Sequence, residues 1–318
     1  MTTGGAPSAV VEAGTQPLAL DAKRTGAGAD VDQSPTKALG VVGSIAIVWL
    51  AVVVGCAVLA PWLPITSPHT SFVQAIGTGA SRSHPLGVDA IGEDMLSRVI
   101  WGARASLLVS VASLLFGFIV GGSLGLVAGY YRGKLDLVLS YVFNTMLAVP
   151  QLVLALAIVA EFANEPTTSV GRRELWLVIS IGIVTVPIIG RLTRAATLTW
   201  SQREFVLASR SMGARNRRII FREVLPNVLP SMASVALLGV AAVIVLEGGL
   251  SLLGLGIPPS EPSWGNLIAI GRNELTKIVG ASPNVILAPA VAIFLTVLSL
   301  NYLGDVIRAR FDARDSAL

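Results

Sequence analysis

The chain of 318 residues is too apolar for a soluble globular protein: 53% of its residues are hydrophobic and 13% are charged, and its mean hydropathy is +0.73. This composition indicates an integral membrane protein. The formal net charge of +4 then reflects the basic loops of a membrane topology, and no nucleic-acid partner is expected. Cys56 is the single cysteine, so an internal disulfide is excluded.

Residues 1–37 are rich in Gly, Ala, Thr and Asp and show no hydrophobic periodicity, which predicts a disordered cytoplasmic tail. The tail is too long and too acidic for the first part of a signal peptide. Residues 53–56 resemble a lipoprotein cleavage site, but the apolar run continues to Ala60. We therefore expect an uncut first membrane helix after the tail.

Six apolar runs are long enough to cross the roughly 30 Å hydrocarbon core of a bilayer, which takes about 20 helical residues. They cover residues 38–60, 105–130, 137–160, 175–194, 229–253 and 285–303. The fourth has only a short purely apolar stretch and must include the turn that carries Arg191 and Arg194. The sequence thus predicts an all-α polytopic membrane protein, with a six-helix domain at 38–312 and a tail at 313–318.

The segments between these runs differ in their content of basic residues. With the N-terminus inside, more than twice as many Lys and Arg residues lie on the cytoplasmic side as outside. This bias predicts that both termini are cytoplasmic. Residues 61–104 then form an external loop, and residues 195–228 form a cytoplasmic loop.

The second run carries four glycines at a spacing of four residues, which places them on one face of a helix: Gly117, Gly121, Gly125 and Gly129. Without Cβ atoms, this face lets another helix approach closely, as small residues do between membrane helices. The partner is either a helix of the same chain or a second membrane subunit.

Polar residues within the apolar runs are costly unless they are paired or face a cavity. Asn144 and Gln151 interrupt the third run, and Glu247 lies in the fifth. These three residues are candidates for a translocation path, where the carboxylate of Glu247 would face a solute or bind a cation. The alternative for Glu247 is a pair with an arginine or a backbone amide that holds the helices together.

The cytoplasmic loop contains a strongly basic segment with a helical pattern. Phe205, Ala208 and Met212 follow a helical spacing and form an apolar face, while arginines recur every seven residues at 203, 210 and 217. Gly213 is expected to end or bend this helix. A second short helix is expected at 215–222.

Pro226 suits the first turn of the helix that enters the fifth run. The segment is therefore predicted to be a helix, a turn and a helix lying across the membrane face. Two interpretations remain open: a docking surface for a cytoplasmic partner, or a basic amphipathic helix on anionic membrane lipid.

Motifs for soluble chemistry are missing from the sequence. Residues 129–135 have the wrong spacing for a phosphate-binding loop, and Leu135 cannot coordinate magnesium. His69 and His84 are the only histidines and have no partner at metal-ligand spacing, so no metal site is expected. We predict that the chain is not an enzyme, and that any ATP hydrolysis takes place on another polypeptide.

The basic segment resembles the EAA loop of the membrane subunits of binding-protein-dependent ABC importers. That pattern is Glu-Ala-Ala, three residues, Gly, nine residues, and Ile-x-Leu-Pro, and the chain matches it at Ala208, Gly213, Leu225 and Pro226. It departs from the pattern at Leu207, Ser209 and Glu223.

Two further segments resemble the C-type permease subunits of dipeptide, oligopeptide and nickel importers. Residues 84–98 read H-P-L-G-V-D-A-I-G-E-D-M-L-S-R, similar to the family segment H-P-L-G-T-D-x-x-G-R-D-x-L-S-R. Residues 250–259 and 263–265 are similar to the family signatures L-S-F-L-G-L-G-x-x-P-P and S-W-G. Together the matches extend the resemblance over residues 38–312.

The resemblance implies a type I ABC importer permease fold in the cytoplasmic (inner) membrane. It implies four kinds of partner: a homologous B-type permease, one or two ATPase subunits, an extracytoplasmic substrate-binding protein and membrane lipid. ATP and magnesium would bind to the ATPase subunits, and no cofactor is expected on this chain. The residues implied in coupling to the ATPase are Arg203, Glu204, Ala208, Arg210, Gly213, Arg217, Leu225 and Pro226.

The substrate implied by the resemblance is a dipeptide or oligopeptide. A nickel ion or another small solute is the alternative, because those importers share the same motifs. A different class of function is also left open: a membrane scaffold or channel unrelated to ABC importers, whose basic helix binds lipid.

Overall fold

The computed structural model describes residues 40–76, 78–89, 91–163, 169–277 and 282–315. The predicted tail at 1–37 lies outside these residues, as do the last residues of the predicted tail at 313–318. Within the described ranges the regular elements are helices, and β pairing is limited to isolated bridges from Ser71 to Glu93 and from Val88 to Asp94. The prediction of an all-α protein is confirmed.

Ten α-helices follow one another along the described part of the chain. They are α1 (Val41–Leu59), α2 (Met95–Tyr131), α3 (Gly133–Ala148), α4 (Gln151–Phe162), α5 (Val170–Trp200), α6 (Glu204–Ser211), α7 (Asn216–Ile219), α8 (Leu225–Leu252), α9 (Trp264–Lys277) and α10 (Asn284–Asp315). A π-helical segment, Ile220–Val224, joins α7 to α8 without a break.

Five helices are long and apolar enough to cross a membrane, and α3 with α4 makes a sixth candidate if this bent pair counts as one span. The pair takes the place of the predicted third span, but its two helices meet at 89°. Val149 is extended at the break, with φ −86° and ψ 131°. Pro150 explains this, because the residue before a proline is displaced from the helical region.

Helix α2 begins at Met95 rather than at Ala105, so the predicted external loop at 61–104 ends earlier than the sequence indicated. The side chain of Asp94 accepts a hydrogen bond from the backbone N–H of Ser97 at 2.9 Å and thereby caps the helix. Arg98 and Arg104 lower the hydropathy of the first turns, which is why the apolar run appeared to start later.

Helices α2 and α5 form the centre of the fold. Helix α5 corresponds to the fourth predicted span, the one with the shortest apolar stretch. It extends over 31 residues, and 56% of an 18-residue apolar stretch within it is buried inside the protein. Helix α8 packs against α2 and α5 and, on another side, against α10, which in turn contacts α1. The span with the shortest apolar stretch in the sequence is therefore the most enclosed of the five long spans, which explains how it tolerates polar residues.

The four glycines of α2 face α5 of the same chain. A methyl group at Gly121 would overlap the carbonyl oxygen of Val186, and one at Gly125 would overlap that of Gly190. At Gly129 it would lie 2.7 Å from Cβ of Thr197, and at Gly117 it would overlap the Thr185 hydroxyl. The glycine face thus lets the two helices approach to backbone contact.

We expect Gly121→Ala to lower the free energy of unfolding by about 1–3 kcal/mol, because the added methyl group has no space between the helices. The matched control is Gly55→Ala in α1, where an added Cβ would meet no atom within 4 Å. There the better helix propensity of alanine is expected to raise stability by up to about 1 kcal/mol. Denaturant unfolding of the purified protein in micelles measures both, and equal effects would contradict this packing argument.

Candidate coupling site

The basic segment between α5 and α8 folds as two helices around a tight turn. Gly213 has φ +79°, a left-handed conformation that glycine adopts without strain. Its N–H donates to the carbonyl oxygen of Arg210 at 3.0 Å, and that of Ala214 donates to Ser209 at 3.1 Å. These two bonds form a Schellman motif, which ends α6 at its last carbonyl groups.

The second helix differs from the short separate one that the sequence predicted at 215–222. Helix α7 continues through the π-helical segment into α8, so that Asn216–Leu252 is one span candidate of 37 residues. Pro226 lies in the first turn of α8, as expected for a residue without an N–H to donate. A movement of α7 must therefore also displace the membrane helix that it begins.

Buried apolar side chains anchor the segment to the membrane helices. Val206, Ile219 and Val224 have no exposed surface. They share one apolar cluster with residues of the three central helices: Leu126, Tyr130, Ile189, Val228 and Met232. Leu225, which is half-buried, packs against the same cluster. The segment is thus a rigid extension of the helix bundle.

Polar and aromatic contacts add to this anchor. The hydroxyl of Tyr130, near the end of α2, donates to Oδ1 of Asn216 at 2.9 Å. The guanidinium of Arg210 lies 5.7 Å from the centre of the Tyr130 ring, and that of Arg203 lies 5.3 Å from the Trp200 ring. Both distances are within the range of cation–π attraction. These two arginines therefore contact their own chain as well as solvent.

The opposite face of α6 is exposed and apolar. Phe205 is 38% exposed, Leu207 49% and Met212 81%. Ala208 is exposed between them, and Glu204 is exposed in the first turn of the helix. An apolar surface of this kind on a short helix beside a membrane domain is typical of a contact with a partner.

The candidate translocation residues do not form one cluster. Glu247 has no exposed surface, whereas Asn144 and Gln151 are exposed on α3 and α4, on either side of the bend. The carboxylate of Glu247 accepts hydrogen bonds from three serine hydroxyls: Ser251 at 2.8 Å, Ser263 at 3.1 Å and Ser106 at 3.4 Å. The sequence offered an arginine or a backbone amide as the partner of Glu247; in the structure the partners are these serine hydroxyls.

This serine cage around Glu247 joins three elements. Ser106 belongs to α2, Ser251 follows Glu247 by one helical turn in α8, and Ser263 directly precedes α9. The oxygen of Ser106 also accepts a hydrogen bond from the backbone N–H of Trp264 at 3.1 Å. The arrangement holds the start of α9 against the two long helices.

A second polar cluster holds the segment that precedes α2 against the first turn of that helix. Arg98, which is 1% exposed, forms ion pairs with Asp89 and, at 2.8 Å, with Glu93. Burial raises the pKa of the Glu93 carboxyl above its usual range, and the positive charge of Arg98 opposes this rise. His84 contacts Asp94 at 2.9 Å, so five charged or titratable groups of the 84–98 motif serve its own folding.

The two motifs that precede α2 and α9 meet in space. The guanidinium of Arg98 donates to the carbonyl oxygen of Pro259 at 3.4 Å. The indole N–H of Trp264 donates to the carbonyl oxygen of Val99 at 2.9 Å, and a Cβ on Gly102 would lie 3.3 Å from the same tryptophan backbone. These contacts give the motifs a common structural role.

The sequence did not predict an ion pair that joins α3 to α5. The guanidinium of Arg194 in α5 binds both carboxylate oxygens of Asp136 in α3, one of them at 2.8 Å. Asp136 stands in the first turn of α3, where a negative charge is favourable. The two residues are 58 positions apart, so no short-range pattern could indicate their contact.

Comparison with known proteins places this geometry in a family. Residues 121–315 match the family described as binding-protein-dependent transport system inner membrane component. The chain is 34% identical over 252 residues to the glutathione transport system permease protein GsiD of Pectobacterium atrosepticum, covering 79% of this chain and 80% of the relative. It is 35% identical to the di/tripeptide transport system permease protein DppC of Pseudomonas aeruginosa, with coverage of 84% and 86%.

A third relative, the dipeptide transport system permease protein DppC of Alkalihalophilus pseudofirmus, is 34% identical over 85% of this chain and 86% of its own length. Among solved structures, an inward-facing form of the MetNI methionine ABC transporter superposes with a TM-score of 0.54 at 22% identity. It covers 68% of this chain and 97% of the solved chain, which supports the fold. The chain belongs to the family of inner-membrane components of binding-protein-dependent transport systems.

Proposed function

We propose that this chain is the membrane-spanning permease subunit of an ATP-driven importer of short peptides. Three relatives that share most of its length are named for glutathione, dipeptides or di- and tripeptides. Each of these solutes is a short peptide, and the chain resembles each relative to a similar extent. Peptides are therefore the substrate class that fits best.

The observation that carries the proposal is the rigid connection of an exposed apolar helix to the membrane bundle. Helix α6 presents Phe205, Leu207 and Met212 outward, while Val206 is buried in the cluster that includes residues of α2, α5 and α8. A partner that binds the exposed face and moves would displace these helices together. Such coupled displacement is how a two-state membrane protein responds to a ligand on a partner subunit.

In this proposal the partner at α6 is an ATPase subunit, which binds ATP and magnesium and hydrolyses the nucleotide. Residues 203–227 form the coupling segment, and the exposed residues Arg203, Glu204, Ala208 and Arg217 contribute to its contact surface. A substrate-binding protein delivers the peptide on the opposite side of the membrane. Both termini lie in the cytoplasm, as the distribution of basic residues indicates.

The surface of α3 supports a second membrane subunit. Phe143 is the only residue of this 16-residue helix that is buried. Leu137 and Tyr141 are more than 70% exposed, at 73% and 72% respectively. In the proposed assembly a homologous permease packs near this surface, and Asn144 and Gln151 line the path between the two subunits.

The test is to purify the chain with its co-encoded partners, reconstitute the complex in lipid vesicles and measure ATP hydrolysis. We expect hydrolysis to rise when the binding protein is added together with a di- or tripeptide, and labelled peptide to accumulate in the vesicles. If Ni²⁺ and not peptides stimulated ATP hydrolysis, the substrate would be nickel and the peptide assignment would be wrong. Solute flux without any associated ATPase would contradict the importer and favour a channel.

A further inference from the structure

Four arginines around one concave surface form a feature that contact through the apolar face of α6 does not require, although Arg217 also belongs to the proposed coupling surface. Arg215, Arg217, Arg218 and Arg222 line an open cavity of about 570 Å³ together with Phe221. All four arginines are exposed, and Phe221 is 57% exposed. We call these five residues the arginine patch. It lies on α7 and the π-helical segment, whereas the exposed apolar face belongs to α6.

The positive charge of the arginine patch is not balanced within the described part of the chain. The ion pairs found there involve other arginines and histidines, namely His69, His84, Arg98 and Arg194. Glu223 is the acidic residue nearest in sequence, and it forms none of these pairs. Four like charges on successive turns repel one another, which favours an anionic partner on the cavity.

The position of these charges in the helix strengthens this argument. The patch occupies the first turns of the continuous helix Asn216–Leu252, with Arg215 as the residue that precedes it. The N-terminus of a helix carries a partial positive charge, so cations there are unfavourable. The arrangement is therefore poor for helix stability, and binding of an anion would relieve the repulsion.

The nature of the anion follows from the membrane helix that continues from the patch. Arg222 lies one turn before α8, which enters the bilayer, and Phe221 stands among the arginines. Basic residues next to a membrane span attract anionic headgroups, and phenylalanine on a helix at the membrane surface inserts at the boundary between headgroups and acyl chains. A headgroup phosphate would reach the arginines while the adjoining part of the lipid contacts Phe221.

We propose that the arginine patch binds the headgroup of an anionic phospholipid in the leaflet next to this end of α8. The lipid would neutralise the patch and hold the start of α8 at the membrane surface. The apolar face of α6 remains free for the protein partner. An acidic surface of a partner protein is the competing occupant, and the experiment is designed to separate the two.

The test uses the full chain in detergent micelles, titrated with phosphatidylglycerol or with zwitterionic phosphatidylcholine, and counts bound lipids by native mass spectrometry. We expect the wild type to prefer phosphatidylglycerol. Arg218→Gln/Arg222→Gln is expected to weaken this binding by about 30-fold, because each basic residue near an anionic surface contributes about fivefold. Arg82→Gln/Arg172→Gln removes two exposed arginines elsewhere and is the matched control, with unchanged binding expected.

A second pair, Arg215→Gln/Arg222→Gln, avoids Arg217 of the proposed coupling surface; it is expected to weaken phosphatidylglycerol binding in the same direction and keeps the test decisive if the first variant is unstable. Equal binding of both lipids by the wild type would overturn the proposal. So would a variant that retains phosphatidylglycerol but loses its ATPase subunits from the assembled complex, because the patch would then bind protein. Lipid counting needs no ATP hydrolysis, so its outcome is independent of the proposed importer activity.

Discussion

Replacing Glu247 with leucine is expected to lower the free energy of unfolding by about 3 kcal/mol, whereas glutamine is expected to cost about 1 kcal/mol. The carboxylate, which has no exposed surface, accepts hydrogen bonds from Ser106, Ser251 and Ser263. Leucine offers no acceptor, so three buried hydroxyl groups lose their partner at once. Each buried donor left without an acceptor costs about 1 kcal/mol or more.

Glutamine separates the acceptor role of this residue from its charge. Its amide oxygen can take the place of Oε1, which accepts the two shorter hydrogen bonds, from Ser251 and Ser263. Its amide nitrogen would face the hydroxyl of Ser106, where the longest bond, at 3.4 Å, is lost or reversed. The variant therefore retains most of the serine cage without a negative charge.

Thermal or denaturant unfolding in micelles, together with peptide uptake by the reconstituted complex, distinguishes the two roles. If Glu247 holds helices together, Glu247→Gln keeps uptake close to wild type and Glu247→Leu loses stability. Ser251→Ala, which removes one of the three contacts and leaves the carboxylate in place, serves as the control, with a loss of about 1 kcal/mol expected. If Glu247→Gln were stable but did not support uptake, the negative charge of Glu247 would instead be needed to face the solute or to bind a cation.

The fold was predictable from sequence where the information is local. Hydropathy gives the spans, because about 20 apolar residues are needed to cross the bilayer whatever they contact. The spacing of Gly117, Gly121, Gly125 and Gly129 indicates a close helix contact, and Gly213 indicates the turn of the basic segment. The partner of the glycine face, however, follows only from the tertiary arrangement of α2 and α5.

Errors occurred where tertiary contacts offset a local cost. Arg98 reduces the hydropathy around Met95, but Asp89 and Glu93 neutralise it, and α2 consequently starts earlier than predicted. Pro150 displaces Val149 from the helical region, and beyond the resulting 89° bend α4 packs against α5, a contact that hydropathy does not show. The hydroxyl partners of Glu247 come from 4 to 141 positions away, which no pattern in one helix can show.

Gly213→Pro is expected to abolish ATP-driven uptake while leaving the membrane domain folded. Gly213 has φ +79°, whereas proline fixes φ near about −65°. Proline also lacks the N–H that donates to Arg210 at 3.0 Å. Since an added Cβ would meet no atom within 4 Å, the change acts through the backbone and not through crowding. The relative orientation of α6 and α7 must therefore change.

Other substitutions at Gly213 are expected to lower stability in proportion to what the left-handed backbone conformation costs the new residue. Gly213→Asn is expected to be mild, because asparagine visits this conformation, and Gly213→Ala to cost about 1–2 kcal/mol. Gly133 provides the matched control: its φ is +62°, and an added Cβ would also meet no atom within 4 Å. Gly133→Ala therefore carries a similar backbone cost outside the coupling segment.

Uptake of labelled peptide and ATP hydrolysis, both measured with loaded binding protein, are the readouts for this series. Val206 of α6 and Ile219 of α7 are buried in one cluster, which a changed angle between the two helices is expected to disturb. The proline variant is therefore expected to retain its membrane helices but to lose the response to ATP. Gly133→Ala is expected to keep both activities. Wild-type uptake by Gly213→Pro would show that coupling does not depend on the geometry of this turn.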